Sequence, residues 1–280
     1  MLQRDPALLF LLLGFAGLSL FYLWPFLLSL WYAFMDKPVN GCFVGFKNFI
    51  ELFHNKPYLL GLKNTLLFIG ISVPLGMALS LAVAMLIHRI KKYKELFTMT
   101  FLIPLVIPSG SMVFFWKALF LEDGYVNAIL TSIGLPSVNW FDTSAALYVI
   151  VLIFIWKNLG YNMVLFLAGL YNIPKEHYEA AAVDGASLGQ TFFRITLPGL
   201  TPMIVLVSIM SVINSFKVFK EIYLITGSYP HQSIYMLQHF MNNMFYSLNY
   251  QKLTTATCVL VLIITLLVQF LLQFEKRYSE

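Results

Sequence analysis

Charge is what this sequence has least of. Asp, Glu, Lys and Arg make up 11% of its 280 residues and apolar residues 59%, against about 25% charged in an ordinary soluble domain. That excludes the globular class, which the length alone would have placed at one or two domains. The net charge of +5 is small. Lys and Arg collect at membrane surfaces for topological reasons, so it is no nucleic-acid footprint. Cysteine is nearly absent. Cys42 and Cys258 stand far apart, Cys258 within an apolar run, so no disulfide is expected, and no CxxC or histidine spacing suggests a metal. No GxxxxGK[ST] loop is present, which excludes ATP hydrolysis by that route. An intramembrane enzyme finds no support, because HExxH, a Ser/His pair and clustered carboxylates are all missing. There is no internal repeat, no low-complexity segment and no stretch long enough for a separate soluble domain.

Long apolar runs fill the space that charge leaves. A helix needs roughly 20 apolar residues to cross the hydrocarbon core. Six segments qualify, near Leu8–Tyr32, Asn64–His88, Leu96–Phe120, Ala145–Tyr171, Pro202–Thr226 and Thr255–Phe274. They lack the period-2 alternation of barrel strands. Ala7–Phe34 exceeds a signal-peptide core of roughly 7–15 residues and reads as a retained first span. Pro25, Pro74, Pro104 and Pro108 predict kinks that membrane helices tolerate. The expectation is an all-α membrane protein, one transmembrane domain over residues 1–280. It is a six-helix bundle with both termini cytoplasmic. Lys and Arg support that orientation by nine inside against six outside. The inside set is Arg4, Arg89, Lys91, Lys92, Lys94, Lys175, Arg194, Lys276 and Arg277, and the compact Arg89–Lys94 cluster decides it.

One connection differs from the rest, residues 174–202. Pro174 suits a first helical position. Glu176 and Glu179 favour the helix N-terminal dipole, and Glu179–Val183 has strong helix propensity. Gly185 permits the turn that stops the helix. Ser187 and Gln190 fit a capping box for a second short helix. The loop is predicted to be a two-helix projection whose alanines at 180, 181, 182 and 186 admit another surface closely. On these grounds it is either a partner-coupling element or a structured connection.

A resemblance weighs on that choice. Glu179-Ala180-Ala181, Asp184-Gly185-Ala186, Phe192, Ile195, Leu197-Pro198 and Pro202 resemble the EAA motif of ABC-importer permeases. Val44–Phe49, Asn64-Thr65, Trp116-Lys117, Gly124–Asn127, Ala168–Leu170 and Ile173-Pro174 resemble other segments of the carbohydrate-uptake, maltose-type branch. The stretch Thr226–Pro230 departs from it, lacking a second glycine before the proline. The resemblance implies a permease of a bacterial or archaeal cytoplasmic membrane, importing a carbohydrate or related solute. Its partners would be a second permease, two ATP-binding cassette subunits and an extracytoplasmic solute-binding protein. This chain would bind no cofactor, ATP and Mg residing on the ATPases. Glu179, Ala180, Ala181, Asp184, Gly185, Ala186, Phe192, Ile195, Leu197 and Pro198 would then form the ATPase-coupling site.

Polar residues inside spans are costly and often functional. Ser208, Ser211 and Ser215 share a face of the fifth span with Asn214 beside them. Such groups serve sugar hydroxyls or helix packing alike. In the fourth span Asn158, Gly160, Tyr161 and Asn162 join them, and the resemblance makes this region pathway-lining. The candidate pathway set is Asn158, Gly160, Tyr161, Asn162, Ser211, Asn214 and Ser215. Lys157 must face a cavity, pair or snorkel. Lys217 is either interfacial or faces the pathway. An ion-coupled secondary transporter, the competing reading, would favour intramembrane carboxylates. Among the six segments only Glu221, at the end of the fifth, supplies one.

Overall fold

A backbone in lipid has no water to bond, so each apolar run must satisfy its own N–H and C=O groups, and a helix does so within one segment. The computed structural model describes residues 6–90 and 92–279, and every regular element among them is a helix, apart from one isolated bridge between Met35 and Phe43. Arg4 and Lys91, counted above toward orientation, lie outside the described residues, as does the side chain of Arg277.

The first span runs through α1 (Pro6–Leu18), a π-helical turn (Ser19–Leu23) and α2 (Trp24–Tyr32). The wide turn immediately precedes Pro25, which has no N–H to bond backwards and whose ring crowds the turn before it. A short α3 (Lys47–Phe53) precedes α4 (Lys56–Arg89), whose 34 residues pass through Pro74 without a break. The third span is not the single helix the sequence suggests. It divides into α5 (Lys94–Val106) and α6 (Ser109–Phe120), and the chain turns by 96° at the break. Pro108 is responsible: it pushes the residue before it out of the helical region, and Ile107 sits at φ −70°, ψ 126°. Pro104, four residues earlier, stays inside α5.

Next come α7 (Tyr125–Ser132) and α8 (Ala146–Asn172). The distinctive connection holds α9 (Lys175–Val183), α10 (Leu188–Thr191), a π-helical turn (Phe192–Thr196) and α11 (Leu197–Gly199). The chain ends with α12 (Thr201–Lys217), α13 (Phe219–Thr226), a 3-10 turn (Gln232–Ile234), α14 (Leu237–Tyr246) and α15 (Tyr250–Ser279). Among the described residues, five helical segments are long and apolar enough to cross a membrane, six if the bent pair forms one span. The connections over residues 36–63, 121–144 and 227–251 thus contain the short helices α3, α7 and α14.

The chain comprises two compact units. One takes the described residues up to Leu59 together with Phe240–Thr265; the other takes Leu60–His239 and the chain from Leu266 onward. In the first, the Asn48 amide donates to the carbonyls of Ala33 and Met35, both at 2.8 Å. Phe34 packs on Phe43, Phe46 and Phe49. Tyr58 is buried between Phe53 and Phe240.

In the second unit α5 and α12 pack on α8, and α13 packs on α6. Here α8 is the central element, with fifteen of its 27 residues buried. Gly160 lets α5 approach: a methyl group there would lie 2.5 Å from the Phe101 carbonyl carbon and closer still to its oxygen. Two asparagines act as staples. Asn64 donates to the carbonyls of Gln232 (2.6 Å) and Tyr235 (3.0 Å). Asn127 donates to Val138 at 2.9 Å while its oxygen accepts from the Val138 N–H and the Trp140 indole, each at 3.0 Å.

Candidate functional site

Lys157 is the twelfth of the 27 residues of α8, about 16 Å from its start at 1.5 Å per residue and so near its middle. An ammonium at that depth needs a partner. Glu221, third residue of α13 and 4% exposed, supplies it in a direct ion pair. Ser109, the first residue of α6, completes a triangle. Its hydroxyl accepts from the Lys157 Nζ at 3.0 Å and donates to Glu221 Oε1 at 2.9 Å. The N-terminal end of α6 lies at this carboxylate, where the helix dipole favours negative charge. The triangle borders a cavity of about 160 Å³ shared by Asn158, Asn214 and Lys217. Lys217 Nζ donates to Asn214 Oδ1 at 2.9 Å, and the Asn158 amide donates to the Phe154 carbonyl at 2.8 Å.

The connection after α8 is built as a pair of helices with fixed ends. Pro174 occupies the position just before α9 rather than its first residue. At the other end the Ala186 N–H bonds the Ala181 carbonyl (2.9 Å) and the Gly185 N–H bonds that of Ala182 (3.2 Å). These two bonds form a Schellman motif, and Gly185 takes the positive φ of 71° that the motif requires. Ser187 and Gln190 form the predicted capping box. The Gln190 N–H donates to Ser187 Oγ at 3.3 Å and the Ser187 N–H to Gln190 Oε1 at 2.8 Å. Val183 and Leu188, 88% and 77% exposed, flank the turn. Tyr178 ties α9 back to the bundle, its hydroxyl 3.2 Å from that of Thr196 and its ring against the apolar cluster around Leu170 and Leu200.

A family model for binding-protein-dependent transport system inner membrane components matches residues 72–280. The chain belongs to this family. It is 30% identical to the probable ABC transporter permease protein YurN of Bacillus subtilis over 98% of this chain and 95% of that one. It is also 30% identical to the sn-glycerol-3-phosphate transport system permease protein UgpA of Yersinia enterocolitica, over 77% of this chain and 75% of that one. A solved bacterial alginate ABC transporter, in complex with an alginate pentasaccharide-bound periplasmic protein, contains a similar chain. The two share 25% identity and a TM-score of 0.83, covering 99% of this chain and 96% of that one. The protein is therefore a multi-pass inner-membrane permease component of an ABC-type importer, a transport subunit and not a catalyst.

Within the permease the sequence-predicted polar residues separate into two groups. Asn158 and Asn214 line the cavity. Asn162 and Ser211 instead bond each other across α8 and α12 at 3.0 Å, both buried, and Ser215 bonds the Val212 carbonyl at 2.6 Å within its own helix. Gly160 faces the α5 backbone, and Tyr161 is half-buried. In the connection, Glu179, Ala180, Asp184, Gly185 and Pro198 are exposed. Ala181 is buried, and Ala186, Phe192, Ile195 and Leu197 are half-buried. Sequence reasoning missed the pairing of Lys157 with Glu221, the part of Ser109 and the anchor at Tyr178. The signal available for the first was the lone lysine of the fourth segment and the single carboxylate among the six.

Proposed function

We propose that this permease forms half of the translocation pathway of an ATP-driven importer for a carbohydrate or related solute, the connection 174–202 seating on an ATPase subunit. The observation that carries the coupling role is the projection itself. Apolar Val183 and Leu188 stand in the open at a tip whose backbone is fixed on both sides of Gly185. An exposed apolar pair on a fixed scaffold suits a protein surface better than water. The Tyr178 anchor joins α9 to the apolar cluster that α8 and α12 share, so a push on the tip reaches both helices. A second permease would close the pathway, two ATP-binding cassette subunits would hold ATP and Mg, and a binding protein would deliver solute from outside. The glycerol-phosphate and alginate systems among its relatives support polyol or saccharide cargo. Because Glu221 is paired with Lys157, it is not a free carboxylate for ion coupling, which disfavours a secondary transporter.

Gly185→Arg tests the coupling. Its site opens into free space, so the chain still inserts, while the αL backbone is strained by about 1–2 kcal/mol and a bulky charge occupies the tip. Solute uptake by the assembled importer is expected to vanish and ATPase co-purification to weaken. Undiminished uptake would refute the coupling role.

A further inference from the structure

The cavity beside Lys157 is bordered by three ionisable side chains, Lys157, Lys217 and Glu221. Glu221 is buried and committed to Lys157 and Ser109, so that pair cancels. Lys217 remains. It is exposed, and the partner of its Nζ is a neutral amide oxygen, Asn214 Oδ1. As the last residue of α12 it also sits where a helix favours a cation, which would suffice for an interfacial lysine. An interfacial lysine extends toward headgroups, however, whereas this one folds back three residues along the cavity wall to Asn214.

The neutral groups complete a polarity pattern. Asn214 gives its oxygen to Lys217, leaving its NH₂ as a donor. Asn158 gives its NH₂ to the Phe154 carbonyl, leaving its oxygen as an acceptor. The free functions are thus ammonium N–H donors with a full positive charge, one amide donor and one amide acceptor. A volume of about 160 Å³ has room for one acidic group with a few hydroxyl-bearing carbons.

We infer that this cavity is a subsite for a negatively charged group on the transported solute, a carboxylate or a phosphate, with Lys217 as its counter-charge and Asn214 and Asn158 meeting adjoining hydroxyls. The inference rests on the permease reading. A neutral sugar in the same place would leave Lys217 without a counter-charge once water is excluded. Lys157, locked by Glu221, sets the wall rather than binding the solute.

The test uses the assembled importer. Leu105→Cys, which lines the cavity without bonding Lys217, is introduced with Cys42 and Cys258 replaced by serine, and the thiol is treated with an anionic and a cationic methanethiosulfonate. Each rate is divided by that reagent's rate with a free thiol. A net positive cavity should favour the anionic reagent by about tenfold or more. Adding Lys217→Gln should bring the ratio near one, and Lys217→Arg should keep it. A ratio near one without those changes, or one that Lys217→Gln leaves untouched, overturns the inference. Protection of the thiol then identifies the group. Protection by glucuronate alone supports a carboxylate, by sn-glycerol 3-phosphate alone a phosphate, and by both a general anion subsite. Equal protection by glucose, or none by any of the three, overturns it. Failure of the chain to co-purify with an ATPase would overturn the permease reading itself, which separates that failure from the others.

Discussion

Removing either partner of the Lys157–Glu221 pair strands a charge, and the two removals should not cost the same. Breaking a desolvated pair costs about 3–5 kcal/mol, mostly the penalty of the charge left behind. Lys157→Met strands Glu221, 4% exposed, with Ser109 as the remaining side-chain donor. The full range of about 3–5 kcal/mol is expected there. Glu221→Gln strands Lys157, 23% exposed and bordering a cavity, so the ammonium keeps part of its hydration and the cost falls to about 2 kcal/mol. Replacing both, as Lys157→Met with Glu221→Gln, removes both charges and should lie within about 1 kcal/mol of the parent. The cycle therefore predicts a coupling of at least about 4 kcal/mol between residues 64 positions apart. Reversible unfolding of the four proteins in one detergent, followed by helix signal against denaturant, measures it. Additive single changes would refute a desolvated pair. An equal or smaller loss for Lys157→Met would refute the assignment of Glu221 as the deeper partner.

Gly160→Ala should force α5 and α8 apart and cost about 1–3 kcal/mol as overpacking; unfolding measurements check this, and unchanged stability would deny the close approach to Phe101. Ser187→Ala removes half of the capping box at a cost of about 1 kcal/mol to the second short helix. Faster amide exchange over residues 188–191, with the spans unaffected, is the expected reading. Burial pushes the His239 imidazole from 6.5 down to about 4. Its Nδ1 accepts the Met236 N–H at 3.1 Å, so the folded protein keeps it neutral while the unfolded chain takes up a proton. The stability it contributes is complete above about pH 6.5 and is lost as the pH falls toward 4, by at most about 1.4 kcal/mol per unit. Melting temperatures between pH 7.5 and 5 should fall more steeply for the parent than for His239→Gln.

The projection after α8 was legible because its signals are local. Gly185 with its positive φ, and Ser187 three residues before Gln190, need no distant partner to act. The spans were legible for the same reason, since hydropathy is a property of each run. What depends on distant residues was not. Nothing in the neighbourhood of Lys157 names Glu221, and nothing around Gly160 names the Phe101 backbone. Proline shows the limit within one element type. Pro74 and Pro104 stay within continuous helices while Pro108 ends one, because neighbouring contacts decide whether the freed groups find partners. Polar spacing did not name partners either. Ser211 and Asn162, read as pathway candidates, are engaged with each other between two helices.

The break at Ile107–Pro108 also bears on how this membrane segment is assembled. A helix N-terminus is favoured by a nearby negative charge, and the start of α6 finds its carboxylate in Glu221, more than a hundred residues later. Until α13 arrives, the start of α6 lacks that carboxylate and Lys157 lacks its counter-ion. The third, fourth and fifth spans are thus mutually dependent for neutrality. They should settle as one cooperative insertion unit late in synthesis rather than enter lipid one by one.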